Sequence, residues 1–180
     1  MKPRDTDERE SLSSTLVERL RGGDTRAGRS LEELYFAELR RFTARYLGNE
    51  HDAEDAVQEV FIKVLETRTV PTELRAWLYR VARNVCLNRL RSRGRRKDSD
   101  RLQTGIDLPV DQVGELTRIV AVEEGMALRD KLLELSDAQR EVLVLRYLEG
   151  LSREEIAEVL EVNVSVVKSR LFEGVSRLRG

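Results

Sequence analysis

The sequence predicts an all-α protein of two small helical domains joined by a flexible linker. Three observations carry that expectation. Every patterned stretch repeats its apolar residues with a period of about 3.6, and none alternates as a half-buried strand would. The periodicity lapses over residues 98–114, where Asp98, Ser99, Asp100, Gly105, Pro109 and Gly114 stand together as loop formers. Near the C-terminus, two short helical patterns follow one another across a tight turn. The predicted domains are residues 12–97 and 119–180, with 98–118 as the linker.

Taken in order, residues 1–11 are polar and are expected to fray. A short helix follows, with Leu12, Leu16 and Leu20 as its stripe and Gly22 and Gly23 as its stop. Residues 30–47 form a longer helix whose inner side is Leu31, Leu34, Tyr35, Leu39, Phe42 and Tyr46; Gly48 and Asn49 end it. Over residues 51–67, Ala53, Val57, Val60, Phe61 and Val64 fall on one face, opposite Asp52, Asp55, Glu59 and Glu66. After a loop containing Pro71, residues 73–92 carry Leu74, Trp77, Leu78, Val81 and Val85 as a core stripe, with Arg80, Arg83 and Arg91 roughly across from it. Gly94 ends that helix.

Past the linker, helices are expected at about 119–134, 137–148, 153–160 and 164–178. Ser136 with Gln139, and Ser152 with Glu155, have the spacing of capping boxes, and Gly150 marks a stop. Ile156, Ala157 and Leu160 face inward from the third of these. Asn163 can cap the last, whose inner face is Val164, Val167 and Leu171. Lys168, Ser169 and Arg170 then point outward. This is the layout of a helix-turn-helix, in which the second helix enters the DNA major groove.

Composition sets limits on function. The 180 residues hold 32 basic and 33 acidic side chains, a net charge of −1, which as an average argues against a DNA-binding chain. The charge is segregated, however. From Leu74 to Lys97 there are nine Arg and Lys and no Asp or Glu, a concentration suited to phosphates. The single cysteine, Cys86, excludes an internal disulfide, and the single histidine, His51, makes a His-based metal or catalytic site implausible. Cys86 reads as a small buried side chain. No apolar run suits a signal peptide or a membrane span, which predicts a cytoplasmic protein without membrane insertion. No nucleophile–base pairing is evident, so the chain is expected to be no enzyme, with no catalytic residue, metal or cofactor.

Four motifs occur in fixed order: DAEDAVQEVF from Asp52 to Phe61, RAWLYRVARN from Arg75 to Asn84, QREVLVLRYLEGLS from Gln139 to Ser152, and VKSRL from Val167 to Leu171. Together they closely resemble the extracytoplasmic-function sigma factors of bacterial RNA polymerase, a branch of the sigma-70 family, from about residue 12 to the end. That family keeps sigma domains two and four with a linker between them. The resemblance implies that Asp52, Asp55, Gln58 and Glu59 dock on the clamp helices of the largest polymerase subunit, and that the flap is a further contact. It implies that the basic helix faces the minus-ten element, with the loop around residues 66–73 helping to capture a flipped base. Asn84 and Asn88 are the candidates for base reading, because an amide pairs donor and acceptor with a base edge. Arg80, Arg83 and Arg91 are candidates for phosphates. In domain four it implies that Arg153, Ser165, Lys168, Ser169, Arg170 and Phe172 serve the minus-thirty-five element. Further implied partners are promoter DNA and an anti-sigma factor, and the protein would join the nucleoid as holoenzyme.

The chain departs from the family pattern at two glutamates. Glu161 stands where the turn usually carries Gly, which requires either a left-handed non-glycine residue or a different turn. Glu173, with Gly174 and Ser176, replaces basic residues of the recognition helix, so phosphate contact is expected to be weaker and Glu173→Arg to strengthen it. The alternative functional reading is a sigma-like decoy that sequesters an anti-sigma factor. Retention of both the acidic face and the basic tract argues against it. A helix-turn-helix repressor would need a ligand or dimerisation module that residues 12–97 do not resemble.

Overall fold

A computed structural model describes residues 3–24, 26–67, 73–94 and 134–179. The described residues contain helices and no strand. In chain order the helices are α1 (Pro3–Arg21), α2 (Arg26–Leu47), α3 (Glu50–Glu66), α4 (Leu74–Gly94), α5 (Asp137–Leu143), α6 (Arg153–Leu160) and α7 (Val164–Arg179). A π-helical turn, Val144–Leu148, extends α5. The expected helix at 119–134, apart from Glu134, and the linker at 98–118 lie outside the described residues, as do Pro71 and most of the loop before α4.

In the first domain α2 is the central element, packed by α1, α3 and α4. Leu31, Leu39, Phe42, Val57, Val60 and Leu78 are fully enclosed. Burying each of these large side chains contributes about 1.5–3 kcal/mol. Phe42 packs edge-to-face on both Tyr46 and Tyr79, with ring centroids 5.1 and 4.8 Å apart. The stop at Gly48 holds, with φ at +73°, and Asn49 then caps α3 by accepting from the Asp52 amide at 2.8 Å.

Two boundaries differ from expectation. The first helix begins at Pro3, nine residues before residue 12, and its inner face is shifted. Ser13, Leu16 and Val17 are buried while Leu12 is exposed. Ser13 Oγ meets Tyr35 Oη at 2.7 Å, so a hydroxyl occupies a position that apolar periodicity does not mark. The second helix begins at Arg26, four residues before residue 30, because Asp24 accepts from the Arg26 amide at 3.0 Å and organises the first turn.

In the second domain both capping boxes form. Ser136 Oγ accepts from the Gln139 amide at 3.2 Å, and Gln139 Oε1 accepts from the Ser136 amide at 3.1 Å. Ser152 and Glu155 make the equivalent pair at 3.0 and 2.7 Å. Gly174 is buried where α7 crosses α5; a β-carbon there would sit 3.1 Å from Leu143 Cδ1. Glycine therefore sets the spacing of those two helices.

The domains pack together, α6 lying on α4. Apolar residues of both join one buried cluster. Tyr79 and Ala82 on α4 are enclosed besides the expected Leu74, Leu78, Val85 and Cys86, while Trp77 and Val81 are only half-buried.

Candidate nucleic-acid and protein interfaces

The α3 face splits in two. Asp55 and Gln58 are exposed, with Asp55 Oδ2 3.5 Å from His51 Nδ1. Asp52 and Glu59 are tied to α4. Asp52 accepts from the Asn49 side chain and from Arg93, which together hold its carboxyl below the usual range. Arg89 donates to Glu59 Oε2 at 3.1 Å and to the Asp52 carbonyl at 3.2 Å. These two carboxylates therefore connect α3 to α4 as well as facing outward.

The α4 candidates also divide. Asn84, Asn88 and Arg91 are exposed and follow one another at i, i+4 and i+7, one edge of the helix; Arg91 donates to Asn88 Oδ1 at 3.3 Å. Arg80 and Arg83 point instead into the junction with the second domain. Arg83 donates to both oxygens of Glu141, from Nε at 2.7 Å and Nη2 at 3.2 Å. Arg80 lies 4.0 Å from Glu158. The sequence expectation of two phosphate-facing arginines corresponds here to two arginines facing carboxylates, because α6 covers that side of α4.

Around them sits a buried polar cluster that periodicity did not reveal. Arg45 of α2 pairs with Glu149, and both side chains are almost wholly buried. Tyr79 Oη lies 2.7 Å from Glu38 Oε1 and 2.7 Å from Glu149 Oε2, so its single proton serves two carboxylates. Arg75 reaches Glu38 at 2.9 Å and the Glu149 carbonyl at 2.5 Å. Tyr46 donates to Glu141. Burial, with the facing Glu141 and Glu38 carboxylates, pushes the Tyr46 and Tyr79 phenols well above their usual range, so both stay neutral donors. The only sequence signal for this cluster was the presence of charged and phenolic residues on otherwise apolar helix faces.

On α7, Ser165, Lys168, Ser169 and Phe172 are exposed, Phe172 at 75%. Arg153 at the start of α6 is exposed as well. Arg170 is half-buried and lines a cavity of about 400 Å³ at the domain junction, together with Arg83, Arg91, Asp137 and Glu141. The helix-turn-helix geometry rests on Glu161, which adopts the left-handed conformation with φ 56° and ψ 44°. Of the two turns the sequence allowed, the structure has the left-handed one.

Residues 33–96 match the family described as Sigma-70 region 2, and residues 125–178 match Sigma-70, region 4. The ECF RNA polymerase sigma-E factor of Haemophilus influenzae is 33% identical over 175 residues, covering 87% of this chain and 88% of that protein. The chain belongs to the extracytoplasmic-function sigma factors. The sigma factor SigW of Bacillus subtilis is also similar, 29% identical over 94% of this chain and 96% of its own length. Among solved structures, the sigma factor RpoE of Bartonella quintana, in complex with the anti-sigma factor NepR, superposes with a TM-score of 0.58 at 26% identity. That alignment covers 83% of this chain and 92% of the other.

As a member of the family this sigma factor is a component of transcription initiation, working with core RNA polymerase and promoter DNA. Among its described residues no cluster of His, Cys, Asp or Glu could hold a metal ion, and no helix is long and apolar enough to cross a membrane. Cys86 is buried, and desolvation pushes its thiol up to about 12, which suppresses the thiolate needed for oxidation or alkylation. Alkylation of the native sigma factor at pH 8 is therefore expected to be at least a hundredfold slower than of the urea-unfolded chain, as read by mass spectrometry.

The Glu173 expectation changes with the structure. Glu173 accepts from Ser169 Oγ at 2.9 Å and from Gln139 Nε2 at 3.0 Å, connecting α7 to α5. Replacing it with Arg removes a negative charge but also breaks both bonds, so a gain in DNA affinity would come with a loss of stability.

Proposed function

We propose that this sigma factor binds the polymerase clamp helices through the α3 face and directs the enzyme to promoters by reading the minus-ten element with α4 and the minus-thirty-five element with α7. The observation that carries this reading is the exposed edge of α4. Asn84, Asn88 and Arg91 set two amides and a guanidinium side by side, the chemistry of base edges and phosphates. Arg80 and Arg83 would add phosphate contacts and support melting of the opened strand. On α7, Ser165, Lys168, Ser169 and Phe172 would enter the major groove, with Arg170 and Arg153 at its phosphates. The flap would hold domain four. Since the similar RpoE was solved with an anti-sigma factor, we assign such a regulator as a further partner. The protein would act in the cytoplasm, joining the nucleoid as holoenzyme, and would have no catalytic activity of its own.

Run-off transcription with reconstituted holoenzyme tests the reading. Asn84→Ala should change base preference within the minus-ten element, whereas Arg91→Ala should lower activity evenly across promoters. Unchanged base preference in Asn84→Ala would refute the placement of α4. For docking, Asp55→Arg with Gln58→Arg is the informative change, since Asp52 and Glu59 also hold α3 to α4. The double variant should remain helical and lose core binding by about tenfold or more. We further propose the domain limits 12–97 and 119–180. Limited proteolysis should cut first between Asp98 and Gly114.

A further inference from the structure

We propose that the cavity at the domain junction is a binding site for a small organic phosphate, a molecule that carries a phosphate or diphosphate group on a ring-shaped or apolar body. The site itself does not rest on the promoter reading proposed above; only its effect on DNA does.

The cavity measures about 400 Å³, in the range of sites that enclose a metabolite-sized molecule. Three guanidiniums and two carboxylates border it, and they are not evenly matched. Glu141 accepts from both Arg83 and Tyr46, and Asp137 lies 3.3 Å from Arg140. Both carboxylates of the lining are therefore engaged. Arg91 and Arg170 are left over: among the described residues neither forms an ion pair, and Arg91 donates to the neutral Asn88 side chain at 3.3 Å. Two guanidiniums, one from each domain, thus border one cavity without a carboxylate on either. Arg170 is half-buried, so its guanidinium has lost part of its hydration with no anion in exchange. An incoming anion supplies what is missing. Phosphate suits the pair because each guanidinium offers parallel N–H donors that match two phosphate oxygens.

The rest of the wall is apolar. Leu87 and Leu160 are buried and Val162 is half-buried, and all three face the same cavity. That surface has nothing to offer an inorganic ion but covers a ring or a carbon skeleton. Arg83, held by two bonds on Glu141, shapes the wall and is not counted as a ligand. Arg91 and Arg170 are also the cations assigned above to DNA phosphates. Where that assignment holds, a bound ligand and the DNA backbone exclude each other at these two residues, and the ligand lowers affinity for DNA.

The test is calorimetric titration of the full chain with ADP in the absence of magnesium. Inorganic pyrophosphate and adenosine probe the two halves of the site. One ADP should bind per chain, pyrophosphate should bind more weakly, and adenosine should not bind measurably. Arg91→Gln and Arg170→Gln should each weaken ADP binding about tenfold or more with unchanged helical circular dichroism. Arg91 is exposed, so its replacement does not put folding at stake. Arg29→Gln makes the same charge change on the exposed side of α2, outside the cavity, and should bind ADP as wild type does. Absence of ADP binding overturns the site. So does an equal loss in all three variants, which would mean attraction by diffuse charge. Pyrophosphate binding as tightly as ADP overturns the role of the apolar wall. In a second titration, saturating ADP should weaken binding of mixed-sequence duplex DNA by the wild type and not by the Arg91→Gln, Arg170→Gln double variant. ADP binding with no effect on DNA keeps the site and overturns the assignment of these two arginines to DNA phosphates.

Discussion

Helices α4 and α7 both carry cationic side chains on the side away from their apolar stripes, yet the two faces have different fates. On α7 the polar face stays open: Ser165, Lys168, Ser169 and Phe172 all reach solvent. On α4 the corresponding face is covered by α6, and Arg75, Arg80 and Arg83 meet glutamates that lie 58 or more positions along the chain. Helical periodicity identifies the side opposite the core. It does not say whether a second domain covers that side. A cation's role therefore depends on which carboxylates the fold brings to it, and local sequence does not contain that information.

The sharpest break of this comparison is a pair of truncations. Arg83→Ala removes the bidentate partner of the buried Glu141 and is expected to cost about 2–3 kcal/mol in urea unfolding. Lys168→Ala on the open face is expected to stay within about 0.5 kcal/mol of wild type. Equal costs would mean that the two faces do not differ energetically. A smaller effect sharpens the α7 side. Gly174→Val would press a side chain onto Leu143 at the α5–α7 crossing and should cost about 1–3 kcal/mol, seen as a lower thermal midpoint. If the midpoint did not move, the crossing would have room that the structure denies. The smallest expected effect is a gain. Glu161→Gly relieves the left-handed strain of the turn and should stabilise by about 1 kcal/mol in the same unfolding measurement. A destabilised Glu161→Gly would show that the glutamate side chain contributes more than its backbone conformation costs.

Much of the first domain was legible because its helices have a single apolar side. The α3 stripe of Ala53, Val57, Val60, Phe61 and Val64 is buried throughout. The capping boxes at Ser136 and Ser152 were legible for a different reason: they are closed by residues three apart, within one turn. Leu12 misled, since in α1 the inner face follows Ser13, Leu16 and Val17, and a serine satisfied by Tyr35 does not register as apolar. The helix starts at Pro3 and Arg26 were missed because polar first turns carry little periodicity. In α4, Tyr79 and Ala82 lie outside the predicted stripe and are buried all the same, Tyr79 against Phe42 and Glu38 of α2.

The sequence by itself determined the helical class, most helix ends, the turn with its choice of conformations, the family and the residue types available for DNA and polymerase. These follow from interactions spanning a few residues, where side-chain period and capping chemistry suffice. Only the tertiary structure decided that Arg45 is buried against Glu149, that Arg83 is held by Glu141, and that Asn84 and Asn88 are exposed while Arg91 borders the cavity at the domain junction. Those outcomes depend on desolvating charges against partners about a hundred residues away in the case of Arg45 and Glu149. The energy of such a pair exists only once packing has excluded water from around it.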